Sequence, residues 1–231
     1  MTILYEGTLK QNEQPFHITL LSFDHIVQIL SLQNVVIEAL EDKGRLQPLS
    51  REEVQYILEG NGMMIGAFID ENLIAFRALL VPSIDEEHLG LDIGLPESEL
   101  HRVIYQEISN VHPDCRGNGM QKILAKVIMG KLQQSDSNYD YVCCTVAPFN
   151  IPSLKDKFAQ GMEIAMLKEK YGGSMRYVFV KELRKGTERD WTDVKTVPMS
   201  DTSEQQALLS EGYRGYKMER IDDTFIVNFG R

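Results

Sequence analysis

The sequence predicts a mixed α/β fold built on one central sheet, and three observations lead there. Hydrophobic period switches repeatedly between two and 3.6 residues, an extended run enters a helix through a Gly-x-Gly turn, and the pattern breaks after residue 184 before resuming in a short unit. The element order read in this way is β-α-α-β-β-β-α-β-α-β-β.

"FHITLLS" alternates like a first strand. Ile26, Ile29, Leu30, Gln33, Val36, Ile37 and Leu40 then share one helical face, with Gln33 as its single polar interruption. "SREEVQYILEG" predicts a second helix, with Ser50 as cap, Glu53 completing a capping box and Gly60 ending it. "MMIGAFID" and "LIAFRALLV" read as an antiparallel hairpin, and "VIYQEISNV" as a long strand after an acidic loop. The helix after the Gly-x-Gly turn has Met120, Leu124, Val127, Ile128 and Leu132 as its apolar face. "YDYVCCTVA" is an apolar strand, and Asn150-Ile-Pro-Ser opens a helix that ends at Gly161. "MEIAMLKEKY" and "MRYVFVKEL" form a hairpin around Gly172-Gly173. We therefore expect a main domain over 1–184 and a C-terminal extension over 185–231. The extension comprises a linker, a short helix and a β-hairpin, too short to stand alone, so it packs on the main domain or on a partner.

Composition narrows the class. With 43% apolar and 25% charged residues over 231 positions, the chain reads as an ordinary soluble protein. No apolar stretch reaches the roughly 18 residues of a membrane span, and the N-terminus lacks the pattern of a secretory signal. Cys115, Cys143 and Cys144 form neither a disulfide framework nor metal spacing, which suggests a reducing cytoplasm. The five histidines show no paired spacing either, so no metal is expected. A net charge of −10 argues against sequence-independent nucleic-acid binding. That charge is uneven: residues 112–131 carry +3 and residues 84–107 carry −6. This reads either as an anion pocket beside a cation pocket or as solvated surface.

The stretch Arg116-Gly117-Asn118-Gly119-Met120-Gln121, between a strand and a helix, suits phosphate binding. Missing Cβ atoms let successive backbone N–H groups converge on an anion where the helix dipole is positive. The dinucleotide pattern Gly-x-Gly-x-x-Gly fails because Lys122 stands where the third glycine belongs, and no Gly-Lys-Ser/Thr exists for a P-loop. Val111-x-Pro-x-x-Arg-Gly-x-Gly, then a strand, then Asn150-x-x-Ser with Gly161 eleven residues on, resembles the GCN5-related N-acetyltransferase (GNAT) family over roughly residues 16 to 183.

The resemblance implies a GNAT-like central sheet flanked by helices and an acetyl-coenzyme A (acetyl-CoA) donor. It makes Arg116, Gly117, Asn118, Gly119, Met120 and Gln121 the diphosphate loop, acting mostly through backbone N–H. Val111 would pair its backbone with the pantetheine arm, and Asn150 would meet that arm by its side chain. Pro113 and Pro148 would help the strands splay by removing ladder donors. The sequence departs from the family in two places. Gln121 replaces a frequent glycine or alanine, and Lys157 stands where the family often has a tyrosine as general acid. Lys157 would stabilise the leaving thiolate, bind a cofactor phosphate, or simply face solvent.

In the implied reaction a primary amine attacks the thioester directly, and something must accept its proton. Glu107 is the candidate base: counted by twos from Val111 it shares that residue's strand face, and nearby backbone N–H groups would polarise the carbonyl. Glu87, His88, Asp92 and Glu99, in the acidic segment, are candidates to hold the ammonium of a small-molecule or peptide amine. Trp191 is placed to anchor the extension, which would wall the acceptor site or make a homodimer contact. Two rivals remain open: a CoA-binding module without turnover, and an interaction protein in which the Arg-Gly turn is only a tight connection.

Overall fold

The structure, a computed structural model, describes residues 2–40, 47–135, 138–184 and 189–231. Contacts divide the chain into two compact units, residues 1–82 with 105–137 and residues 83–104 with 138–231. Both are helix-flanked antiparallel sheets, so the mixed α/β class expected from the sequence is borne out.

In the first unit the strands lie in chain order: β1 (Ile3–Thr8), β2 (Pro15–Leu20), β3 (Gly62–Ile69), β4 (Asn72–Leu80) and β5 (Val103–Val111). Every neighbouring pair is antiparallel. Helices α1 (Ile26–Glu38) and α2 (Arg51–Leu58) cover one face, where Ile29, Leu32, Val54 and Ile57 pack with Met64, Phe68, Phe76 and Ala78. Helix α4 (Met120–Gln134) packs on β3 and β4. It lies over the opposite residues, among them Arg77, which reaches into the helix's first turn. Because both faces of β3 and β4 are covered, their sequences read as continuous apolar runs rather than alternations. Strand β1 was not foreseen; it lies at the sheet edge, mostly exposed, and carries no alternation that a pattern search would find.

The second unit orders its strands β6-β8-β7-β10-β11-β9, again all antiparallel. They are β6 (Tyr141–Val146), β7 (Glu163–Lys170), β8 (Ser174–Glu182), β9 (Lys195–Pro198), β10 (Arg214–Ile221) and β11 (Thr224–Gly230). Helices α3 (Leu89–Asp92), α5 (Ile151–Ala159) and α6 (Thr202–Ser210) accompany them. The expected boundary at 184/185 abuts residues 185–188, which lie outside the described residues. The C-terminal segment continues the sheet: Gly215 pairs with Ile164 of β7, α6 packs on β7, and Gln206 donates to the Leu167 carbonyl at 3.0 Å. Trp191 stacks on Tyr216 of β10 with ring centres 4.8 Å apart.

The polar interruption on α1 has a structural cause. Gln33 is buried, and its amide clamps Leu49 from both sides, donating to the carbonyl at 2.8 Å and accepting from the N–H at 2.9 Å. Leu49 directly precedes Ser50, whose capping box with Glu53 starts α2. Gln33→Leu would keep the volume but orphan two buried backbone groups, each worth about 1–3 kcal/mol. Urea unfolding should show a loss of roughly 2–6 kcal/mol on that basis; an unchanged midpoint would contradict the clamp.

Candidate active site

The turn between β5 and α4 is built on left-handed backbone. Gly117 has φ 81° and Gly119, the residue capping α4, has φ 74°, a region costly for any residue with a Cβ. Arg116, Gly117 and Gly119 are exposed, so the turn is open to solvent. At the start of α4 the first N–H groups have no intrahelical acceptor and lie at the positive end of the helix dipole.

The side chains between the glycines serve the loop itself. Asn118 is buried; its Nδ2 donates to the Cys115 carbonyl at 3.0 Å, and its Oδ1 accepts from the Gln11 N–H at 3.2 Å. Gln11 returns a bond from its Nε2 to the Arg116 carbonyl, also at 3.2 Å. A Cβ at Gly117 would come within 3.0 Å of that Nε2, and one at Gly119 would stand 3.8 Å from the Lys10 ammonium. Met120 turns its side chain into the core. Asn118 and Met120 can therefore serve an anion only through backbone. Gln121 is half-buried, and its carbonyl accepts from the buried Arg77 guanidinium at 3.3 Å. Arg77 also donates to Gln106 Oε1 at 2.6 Å.

Lys10, Gln11 and Arg77 were missed by the sequence reading. Arg77 left a trace, a lone cation inside "LIAFRALLV". The β1–β2 turn left none, because its link to residues 116–118 spans more than a hundred positions.

Val111 ends β5, buried and paired with Ala75. Glu107 does not share its face, and the parity expected from the sequence is corrected. The register slips between Ala78 and Leu79: Ala78 opposes Ile108 and Leu79 opposes Gln106, so Glu107 is the extra residue of a β-bulge. Ile108 joins the core under α1 and α2, and Glu107, one residue earlier, feels Glu53 of α2. Glu107 is exposed at the surface, with protein crowding one side of its carboxyl. Burial, with a smaller contribution from the Glu53 charge, pushes its carboxyl up to about 7.

In the second unit Asn150 caps α5, its side-chain oxygen accepting from Ser153 N–H at 3.4 Å. Phe149 before it holds φ 64°, an uncommon conformation for a residue with a side chain. Lys157 is buried rather than solvent-facing, its ammonium 3.4 Å from Asp156 Oδ2. The solvent-exposed reading of this lysine therefore does not hold.

The four acceptor candidates all have partners within the chain. Asp92 accepts from Lys168 at 2.8 Å and from the buried Lys170 at 3.0 Å, and Glu87 meets Lys170 at 2.9 Å. Burial opposes the charge of Lys170, but the bonds to Glu87 and Asp92 outweigh it and raise the lysine above its usual range. Glu87 is correspondingly held below the usual carboxylate range by its hydrogen bond to Lys170. Glu99 lies 3.5 Å from Arg102. His88 is buried, caps α3 by accepting from Gly90 N–H at 3.0 Å, and is held by burial below the ordinary imidazole range. The ammonium that Glu87 and Asp92 hold is the chain's own. Among the described residues no cluster of metal-ligating side chains occurs, and no helix is long and apolar enough to cross a membrane.

No protein-family model matches the sequence, and no curated protein matches it. Solved structures do. A GNAT-family acetyltransferase from Streptococcus pneumoniae aligns with a TM-score of 0.54 and 14% identity, over 73% of this chain and 99% of that one. An N-acetyltransferase from Staphylococcus aureus aligns with a TM-score of 0.55 and 19% identity, over 74% and 99%. The yncA protein of Salmonella typhimurium, solved with its cofactor acetyl-CoA, aligns at 0.53 and 9% identity, over 76% and 98%. The fold of this chain is that of the GCN5-related N-acetyltransferases.

The bulge makes a titration prediction. Followed by carboxyl NMR, Glu107 should titrate near 7 rather than 4.5. Glu53→Gln keeps the capping box, since glutamine also completes it, and should lower that midpoint only partly because burial dominates. The folded state holds this proton more tightly than the unfolded chain, so wild type should lose stability relative to Glu107→Gln as pH rises from 4.5 to about 7. A midpoint of 4.5 in the folded protein would contradict the assignment.

Proposed function

We propose that this chain is an N-acetyltransferase that moves the acetyl group of acetyl-CoA onto a primary amine by direct attack. The observation that carries the reading is the glycine-opened entry to α4: Arg116, Gly117 and Gly119 exposed at the helix start, with the Lys10 ammonium beside it. These features suit a diphosphate by charge and by hydrogen-bond polarity. Backbone N–H of Gly117, Asn118, Gly119, Met120 and Gln121 would hold it, with Arg116 and Lys10 adding charge.

Glu107 takes the role of base. A carboxylate with a pKa near 7 is partly ionised at neutral pH and poised to accept a proton from an ammonium or an attacking amine. The amine nitrogen forms the new C–N bond, the C–S bond breaks, the amine's proton passes to Glu107 directly or through water, and the thiolate leaves. Backbone N–H groups at the bulge would polarise the carbonyl oxygen. In this scheme Val111 presents its backbone to the pantetheine arm. The acceptor is a small-molecule or peptide amine, and Glu87 and Asp92 are left to their lysines.

The test is release of CoA thiol against a panel of amines. Glu107→Gln should lower kcat by about 10²–10⁴-fold, with the KM for acetyl-CoA nearly unchanged and the acidic limb of the pH profile removed. Gly119→Glu should abolish acetyl-CoA binding and turnover together; activity surviving it would place the donor elsewhere. The lysine at the tyrosine's position favours one rival, a CoA-binding module without turnover. It predicts saturable acetyl-CoA binding with no thiol release for any amine.

A further inference from the structure

The second unit contains a recess that the acetyl-transfer scheme leaves unused. Its volume is about 160 Å³, close to the roughly 150 Å³ of a cavity that accepts benzene. Every residue that lines it belongs to that unit. Strand register builds the floor: Tyr141 opposes Glu182 and Glu163 opposes Val180, and directly opposed residues share a sheet face. Ile93 and Leu95, from the segment after α3, add an apolar wall. Arg189 and Arg214 come from the C-terminal segment. Tyr141 opens β6, and about 17 Å of strand, at about 3.4 Å per residue, separates it from Val146, the end nearer Asn150.

The charges in the recess are unevenly matched. Glu163 and Glu182 are both engaged by Arg189, at 3.5 and 2.9 Å. Lys181 donates to the Gln160 carbonyl at 2.6 Å. Arg214 gives one N–H to the Ala165 carbonyl at 3.2 Å, and no described carboxylate pairs with it directly. Burial holds its guanidinium below the ordinary range; Glu163 and Glu182 counter that effect and Arg189 adds to it. The described lining therefore holds three cations against two carboxylates, a surplus of one positive charge centred on Arg214.

We propose that this recess binds a small organic monocarboxylate, with its carboxylate on Arg214 and a short apolar tail against Ile93, Leu95 and Val180. The proposal does not rest on the acetyl-CoA reading. A single negative charge balances the surplus, whereas a phosphate dianion overshoots it and an ammonium meets carboxylates that Arg189 already holds. The planar guanidinium matches a carboxylate in shape as well as in charge. Buried Val180, with Ile93 and Leu95, gives the tail an apolar surface, and the volume limits the ligand to about the size of benzene. Through Arg189 and Arg214 the C-terminal segment becomes part of a ligand site as well as an extension of the sheet.

The experiment titrates the full chain with butyrate and with butyramide, its neutral isostere, followed by amide NMR. Wild type should bind butyrate about ten-fold or more tightly than butyramide, as a charge-assisted contact implies. The largest shifts should fall on Ile93, Leu95, Val180 and Arg214. Arg214→Gln should bring the ratio close to one, and Ile93→Trp, which fills the recess from its apolar wall, should abolish binding of both. Urea unfolding of each variant verifies that it is folded. Inorganic phosphate and butylamine should bind wild type more weakly than butyrate does. A wild-type ratio of one, shifts gathered away from the lining, or tighter binding of phosphate or butylamine overturns the assignment. So does butyrate preference that survives loss of Arg214, or binding that survives Ile93→Trp.

Discussion

Two left-handed backbone positions, Gly117 and Gly119, are the constraint on which the site depends. They turn the chain from β5 into α4 without covering the helix entrance, and only a residue lacking Cβ adopts them cheaply. The loop so formed has little regular structure of its own, and its rigidity is borrowed. Asn118 fills the space beneath it, Gln11 locks it from a distant turn, and Arg77 grips the Gln121 carbonyl from inside the sheet. Preorganisation of this kind lets backbone dipoles act on an anion without reorganising when it arrives.

The bulge at Glu107 is the second device. A regular strand would have directed position 107 toward the α4 face; one extra residue turns it toward α2 instead. There the carboxyl keeps one side open to solvent but is crowded by protein on the other and lies near Glu53, and both effects favour its protonated form. Glu53 itself is fixed by its bond to Ser50 N–H at the start of α2. A helix cap thus also influences a titrating group in the candidate site, a link between local folding signals and chemistry that neither feature reveals alone.

Much of the fold could be read from residue patterns. Ser50 with Glu53, the Asn150 cap and the strand "VIYQEISNV" fall where local chemistry places them. The phosphate loop was legible for the same reason: Gly-x-Gly at a helix entrance is a local conformational demand. What escaped was non-local. Strand β1 is an exposed edge, the bulge depends on register against β4, and the contact of Lys10 and Gln11 with residues 116–119 depends on tertiary folding. The acidic run at 84–107 was legible as charge but not as pairing, because Lys168 and Lys170, which engage Glu87 and Asp92, lie more than seventy residues away.

Amide NMR during titration with CoA addresses the central claim most directly, since it reports backbone N–H groups one by one. The account predicts that the largest shifts fall on Gly117, Gly119, Met120 and Gln121, with Asn118 side-chain resonances nearly still because that amide is engaged by the protein. Saturable CoA binding that leaves those four amides unmoved, with shifts gathered elsewhere, would contradict it.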